Sequence, residues 1–133
     1  MRQIKYALDR IFVMAHTHIM KQIEIFQMLG DATRLRALAL IAANGELCVC
    51  ELVAALDLSQ PKISRHLNAL KAAGLVVSRR DAQWVYHALS PDLPVWQEQI
   101  LTAALAGISN EYAVKGDATR LANMKDRPAR CAT

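Results

Sequence analysis

The sequence predicts a mainly α-helical domain carrying one small β-hairpin, and three observations predict it. Apolar residues recur at helical spacing along most of the chain, from Ile4 to Ile108. One stretch, residues 75–89, breaks that rhythm with two β-rich runs around Asp81-Ala82-Gln83. The length of 133 residues, 53% of them apolar, suits one compact core with extensions.

Composition excludes several classes. Apolar content is too high and a net charge of +4 too small for a disordered chain. The longest apolar run, Ala37 to Ala43, is far short of the ~20 residues a bilayer span needs. The apolar patch in the opening MRQIKYALDRIFVMAHTH is broken by Asp9 and Arg10, and no small-residue cleavage site follows. Three cysteines make no disulfide framework: bridging Cys48 to Cys50 would strain so short a loop, and Cys131 lies far away in the tail. A cytoplasmic protein with reduced thiols and no membrane contact is expected.

The elements follow in order. Residues 1–19 read as an N-terminal arm or helix, with Ile4, Leu8, Ile11 and Phe12 at helical spacing. The main domain is expected over 20–112. Ile23, Phe26 and Leu29 mark a first helix that ends at Gly30. Asp31 is placed to N-cap the next, which carries Leu35, Leu38, Ala39 and Ala42 and stops at Asn44-Gly45. A short third helix bears Val49, Leu52, Val53 and Leu56, before a turn at Asp57-Leu58. Ser59 then N-caps a fourth helix with Pro61 in its first turn, where a missing N–H is harmless, and Gly74 ends it. Residues 75–80 and 84–89 form the hairpin. A last helix runs from about Leu93 to Tyr112, with apolar residues enough for its own domain on one side and a partner on the other. The remainder, 113–133, reads as a flexible polar tail. Two helices joined by a tight turn, followed by a basic hairpin, make a winged helix-turn-helix, expected to be dimeric.

Charge places the working surface. Between Ser59 and Arg80 stand five basic residues and no acid. With Ile63, Leu67 and Leu70 facing the core, Arg65 and Asn68 lie opposite and Lys62 and Ser64 flank them. Arg and Lys read guanine edges, Asn reads adenine, and the helix N-terminus favours phosphate. The candidate DNA-binding residues are therefore Ser59, Gln60, Lys62, Ser64, Arg65, His66, Asn68 and, at the hairpin tip, Arg79 and Arg80. Gln60 sits nearer the apolar side, and His66 lies close enough to the buried stripe to suit packing or the DNA backbone.

Cys48 and Cys50 are the candidate ligands for an ion. Two residues apart on a regular helix they point about 200° apart, so joint ligation requires the first turn to be absent or to unwind. Thiolates select thiophilic ions. A third ligand is available from Cys131, from His16 or His18, or from an exogenous thiol.

GDATRLRALALIAANGELCVCELVAAL, LSQPKISRHLNALKAAGLV and the hairpin SRRDAQWVYHAL together closely resemble the ArsR/SmtB-type winged-helix metal-responsive repressors, over about two-thirds of the chain. The resemblance implies a homodimer on double-stranded operator DNA that leaves when an ion binds. ELCVCEL is similar to the arsenical-repressor signature, whose cysteine pair holds trivalent arsenic or antimony; Cys48 and Cys50 match it, and Val53 stands where that signature has a third cysteine. As(III) or Sb(III) is the expected inducer, with other thiophilic ions as alternatives and no permanently bound cofactor. A cadmium-, lead- or zinc-responsive repressor, or a thiol-redox one, is the alternative on the same fold. The branch that senses zinc on its last helix needs histidines there, and residues 93–112 contain none. A thiol enzyme is not expected: no base stands beside the pair, and the glycines are isolated at 30, 45, 74, 107 and 116.

Overall fold

The computed structural model describes residues 20–128. The expectations for the 1–19 arm, and for His16, His18 and Cys131, lie outside the described residues. In chain order the elements are α1 (Met20–Leu29), α2 (Ala32–Asn44), β1 (Glu46–Cys48), α3 (Val49–Leu56), α4 (Gln60–Ala72), β2 (Val76–Asp81), β3 (Trp84–Leu89), α5 (Val95–Ile108) and α6 (Tyr112–Ala122).

Local chemistry sets most boundaries. The Asp31 carboxylate accepts the Arg34 N–H at 3.0 Å, capping α2. That hydrogen bond is also the main reason the Asp31 carboxyl sits below its ordinary pKa. Ser59 Oγ accepts the Lys62 N–H and caps α4. Gly45 and Gly74 adopt φ of +82° and +80°, open to glycine without strain, where α2 and α4 must stop. No helix among the described residues is long and apolar enough to cross a membrane.

The sheet is antiparallel in the order β1-β3-β2. β1 extends the hairpin, placing Leu47 opposite His87 and Cys48 opposite Tyr86. Two apolar clusters fill the interior. One joins Leu40, Ile41, Leu47, Leu52, Ile63, Leu67 and Leu121; the other joins Ile25, Leu38, Leu70, Leu75, Val76 and Leu101. The buried stripe of α2 is Ala37, Leu38, Leu40 and Ile41 rather than 35, 38, 39 and 42, because sheet and helices cover it from two sides.

Three expectations are corrected here. β1 was not anticipated: three residues are too few to display an alternating pattern. The last predicted helix is shorter than residues 93–112. Pro94 starts it, and at its end the Ser109 hydroxyl donates to the Ala106 carbonyl at 2.9 Å. The span 113–133, expected as a flexible tail, contains α6, whose Leu121 enters the first cluster and whose Asp117 is fully buried. Asp117 accepts from Arg36 Nε at 2.8 Å and from Arg120 at 2.5 Å, while Arg120 Nε donates to the Ala55 carbonyl at 2.6 Å. These contacts tie α6 to α2 and α3. Burial of an apolar residue and a satisfied carboxylate outweighs the polar composition that suggested mobility.

Candidate nucleic-acid interface and cysteine site

Helix α4 buries Ile63, His66, Leu67 and Leu70. Its opposite face exposes Gln60, Pro61, Lys62, Arg65 and Asn68, with Ser64 half-buried and the Ser59 cap exposed beside them. Lys62, Ser64, Arg65 and Asn68 therefore stand together on one outward face, as the helical wheel indicates. Gln60 joins them, since the first turn projects beyond the core.

Of the two places expected for His66, packing or the DNA backbone, it takes the packed one. It is 9% exposed and turned inward, with Nδ1 3.4 Å from Arg34 Nη1. Burial holds its pKa below the ordinary histidine value, and the Asp31 charge opposes that only in part. Arg34 also donates to the Met28 carbonyl at 2.8 Å and the Gln27 carbonyl at 2.9 Å. His66 thus belongs to a joint linking the end of α1, the start of α2 and the back of α4, and does not face outward with the rest.

The hairpin corrects one placement. Arg79 is not at the tip: it pairs across the sheet with Tyr86, while Ala82 and Gln83 form the turn. Its guanidinium forks onto the Glu46 carboxylate with Nε at 2.7 Å, lies 3.7 Å from Asp81 and stacks 4.8 Å above the Tyr86 ring. The Glu46 hydrogen bonds raise its pKa further above an already high value. Arg80, on the other face, is exposed and nearer the turn, with Nε 3.3 Å from the Ala82 carbonyl. Lys71 fastens the end of α4 to the hairpin by donating to Ser78 Oγ at 2.8 Å. His87 in β3 is 7% exposed, its Nδ1 is buried without a hydrogen-bond partner, and burial lowers its pKa.

The cysteines occupy the seam between sheet and helices. Cys48 is buried at the end of β1 and is the N-cap of α3, in extended backbone with φ −83° and ψ 165°; Cys50 lies one turn-step inside the helix, half-buried. Because Cys48 precedes the helix, the 200° separation of a regular helix does not apply. The two Cα atoms are 5.5 Å apart and the sulfurs meet in a disulfide, against the expectation of reduced thiols, and the helical turn that would part them is absent at Cys48, one of the two conditions expected for joint ligation. Glu51, with no solvent exposure, accepts the Cys48 N–H at 3.0 Å and is ion-paired with Arg127.

Beside the pair opens a cleft of about 300 Å³ lined by Cys48, Val49, Cys50, Gln60, Gln83, Trp84 and Val85. It brings together the sulfurs, the first residue of α4 and the tip of the hairpin. Among the described residues no group of three or more His, Cys, Asp and Glu gathers to hold a metal ion. Sequence reasoning missed Glu51 and Arg127, which stand behind Cys48, and Arg36, Asp117 and Arg120, which fasten α6 to α2 and α3. The spacing of Val114, Asp117 and Leu121 was the available signal, a helical stripe interrupted by one acid.

Comparison with known proteins agrees with this architecture. The family model for bacterial regulatory proteins of the arsR family matches residues 31–78. The arsenic resistance transcriptional regulator ArsR2 of Pseudomonas putida is 50% identical over 107 residues, 80% of this chain and 91% of that protein. The arsenical resistance operon repressor of Escherichia coli is 49% identical over 82 residues, covering 62% of this chain and 70% of that protein. Among solved structures, the AntR antimony-specific transcriptional repressor superposes with a TM-score of 0.55 at 25% identity, over 65% of this chain and 76% of that one.

Proposed function

Since the chain belongs to the arsR family of bacterial regulatory proteins, we propose that it is a homodimeric repressor released from operator DNA when trivalent arsenic or antimony bonds to Cys48 and Cys50. The observation that carries the reading is the convergence of the two sulfurs at the junction of α4 and the hairpin.

Helix α4 enters the major groove with Lys62, Ser64, Arg65 and Asn68, and the Ser59 end presents free N–H groups to phosphate. Arg80 follows the backbone beside it. Arg79, held by Glu46 and Tyr86, stiffens the hairpin rather than leading the contact. The exposed apolar side chains of α5, Val95 and Trp96, face the second copy. Two reading helices then meet half-sites about one DNA turn apart, ~34–36 Å.

Release follows from position. In a reducing cytoplasm the pair is held as two thiols. An ion bonded to both sulfurs occupies the cleft between Gln60 and the Gln83–Val85 tip, and so alters the spacing of the two elements that touch DNA together. A coupling of ~1–3 kcal/mol gives roughly a 5–150-fold loss of DNA affinity. The relatives named for arsenic resistance support the choice of ion, and the thiophilic pair supports it independently.

The test is a fluorescence-anisotropy titration of reduced protein on DNA from upstream of its own gene, at fixed salt. Arsenite and antimonite are expected to release the DNA while zinc and cadmium do not. Release by the divalent ions alone moves the protein to a divalent sensor. Release only on adding an oxidant selects a second reading, favoured by the pairing of the sulfurs, in which the disulfide itself is the signal.

A further inference from the structure

We propose that Glu46 is a positioning residue for DNA binding: its carboxylate takes the fork of the Arg79 guanidinium that a DNA phosphate otherwise fills, and so withholds one hairpin cation from the DNA backbone. This rests on the reading of α4 and the hairpin as the DNA-binding surface, and gives β1 a part in setting its affinity.

The placement follows from strand register. Arg79 lies opposite Tyr86 on β3, and Tyr86 lies opposite Cys48 on β1. Side chains alternate along a strand, so Glu46, two residues before Cys48, shares the face of Tyr86 and Arg79. The central strand β3 separates β1 from β2. Arg79 crosses it above the Tyr86 ring, 4.8 Å from the centroid, to reach Glu46. There Nε donates to Oε2 at 2.7 Å and Nη2 donates to Oε1. The remaining nitrogen, Nη1, faces Asp81 Oδ2 at 3.7 Å. Two carboxylates thus surround one cation, and this corner of a hairpin that reads as basic in sequence is net negative.

The fork matters because a planar guanidinium meets carboxylate and phosphate oxygens in the same bidentate geometry. An Arg79 bound to Glu46 has those donors filled. The side chains keep 48% and 25% of their exposure, so the pair lies at the surface, and phosphate gains the donors once the carboxylate is gone. Arg80, the next residue along, points to the opposite face and donates to the Ala82 carbonyl. One position therefore separates the cation left to DNA from the one held back. Phosphate contacts carry no sequence information. Withholding one weakens binding to every duplex alike and leaves discrimination to the base-reading side chains of α4.

The experiment titrates reduced full-length protein, native and Glu46→Gln, onto a fluorescent duplex from upstream of its own gene and onto a scrambled duplex of equal length, over a range of salt concentrations. Glutamine keeps the size of the side chain and an acceptor oxygen while losing the charge. Glu46→Gln is expected to bind both duplexes several-fold more tightly at low salt. The slope of log affinity against log salt is expected to steepen by about 0.9, the value of one added phosphate contact. Loss of an acid strengthens binding by general attraction whatever Arg79 does, so the substitution is repeated in Arg79→Gln protein. There the slope is expected to change by less than half as much. A slope unmoved or made shallower by Glu46→Gln, a change at least half as large in the Arg79→Gln background, or a gain confined to the upstream duplex overturns this inference and leaves the repressor reading in place. Failure of the native chain to prefer the upstream duplex overturns both.

Discussion

Replacing Asp117 with alanine removes the carboxylate that binds α6 to the rest of the domain. Asp117 is fully buried and accepts Arg36 Nε at 2.8 Å, Arg36 Nη2 at 2.6 Å and Arg120 Nη2 at 2.5 Å. Charge-assisted hydrogen bonds contribute about 1.5–3 kcal/mol each, and stripping one partner from a buried pair costs about 3–5 kcal/mol. Arg36 and Arg120 retain 24% and 43% of their side-chain exposure, so both can turn to water after the change. Solvent screening lowers the expected loss to ~2–3 kcal/mol. Urea unfolding at fixed protein concentration measures it, with exposed Glu24→Ala expected within about 0.5 kcal/mol of the native chain. Pairing Asp117→Ala with Arg36→Ala in a double-mutant cycle is expected to return a coupling on the order of 1 kcal/mol or more. A midpoint unchanged by Asp117→Ala, with no coupling to Arg36, would refute the reasoning and return residues 113–128 to a loose tail.

Further outcomes follow from the same geometry. Arg65→Ala is expected to weaken operator binding by about 1–3 kcal/mol and to relax preference at one base position, read by anisotropy on single-base operator variants. Arg80→Ala is expected to lower the slope of log affinity against log salt by about 1, with a smaller effect from Arg79→Ala; the reverse order would contradict the assignment of Arg79 to the Glu46 and Tyr86 contacts. Burial lowers the folded pKa of both His87 and His66 below the ordinary ~6.5, and the nearby Lys71 charge adds to the effect on His87. Their neutral forms are favoured by folding, so this contribution is complete above ~6.5 and is lost as pH falls from there through the folded pKa values. The urea midpoint should drop across that window and the drop should shrink in His87→Gln; an equal drop in both proteins would count against the buried imidazole.

Much of the fold was legible because its signals are local. Asp31, Ser59, Gly45 and Gly74 act within a turn of their own positions, and the apolar spacing of α3 and α4 needs no distant information. What escaped depends on contacts far apart in the chain. Glu46–Cys48 becomes a strand only because β3 lies alongside it some forty residues later. The polar segment after Tyr112 folds because Asp117 meets Arg36, 81 positions away. At the site, the outward face of α4 was readable from one helical wheel. His66 lies at the edge of that wheel, and Arg34 of α2 draws it inward. Arg79 read as a free cation because Glu46 is 33 residues distant in sequence. The cysteines were recognised as a pair, but their geometry turns on one fact the spacing hides: the helix begins at Val49, between them.

The central claim, that Cys48 and Cys50 together convert trivalent arsenic into loss of DNA affinity, is tested most directly by titrating arsenite into operator complexes of the native chain, Cys48→Ser and Cys50→Ser in parallel. The native complex should dissociate, while both variants should bind DNA with unchanged affinity and stay bound throughout the titration. Dissociation of either variant at the native arsenite concentration would contradict the account.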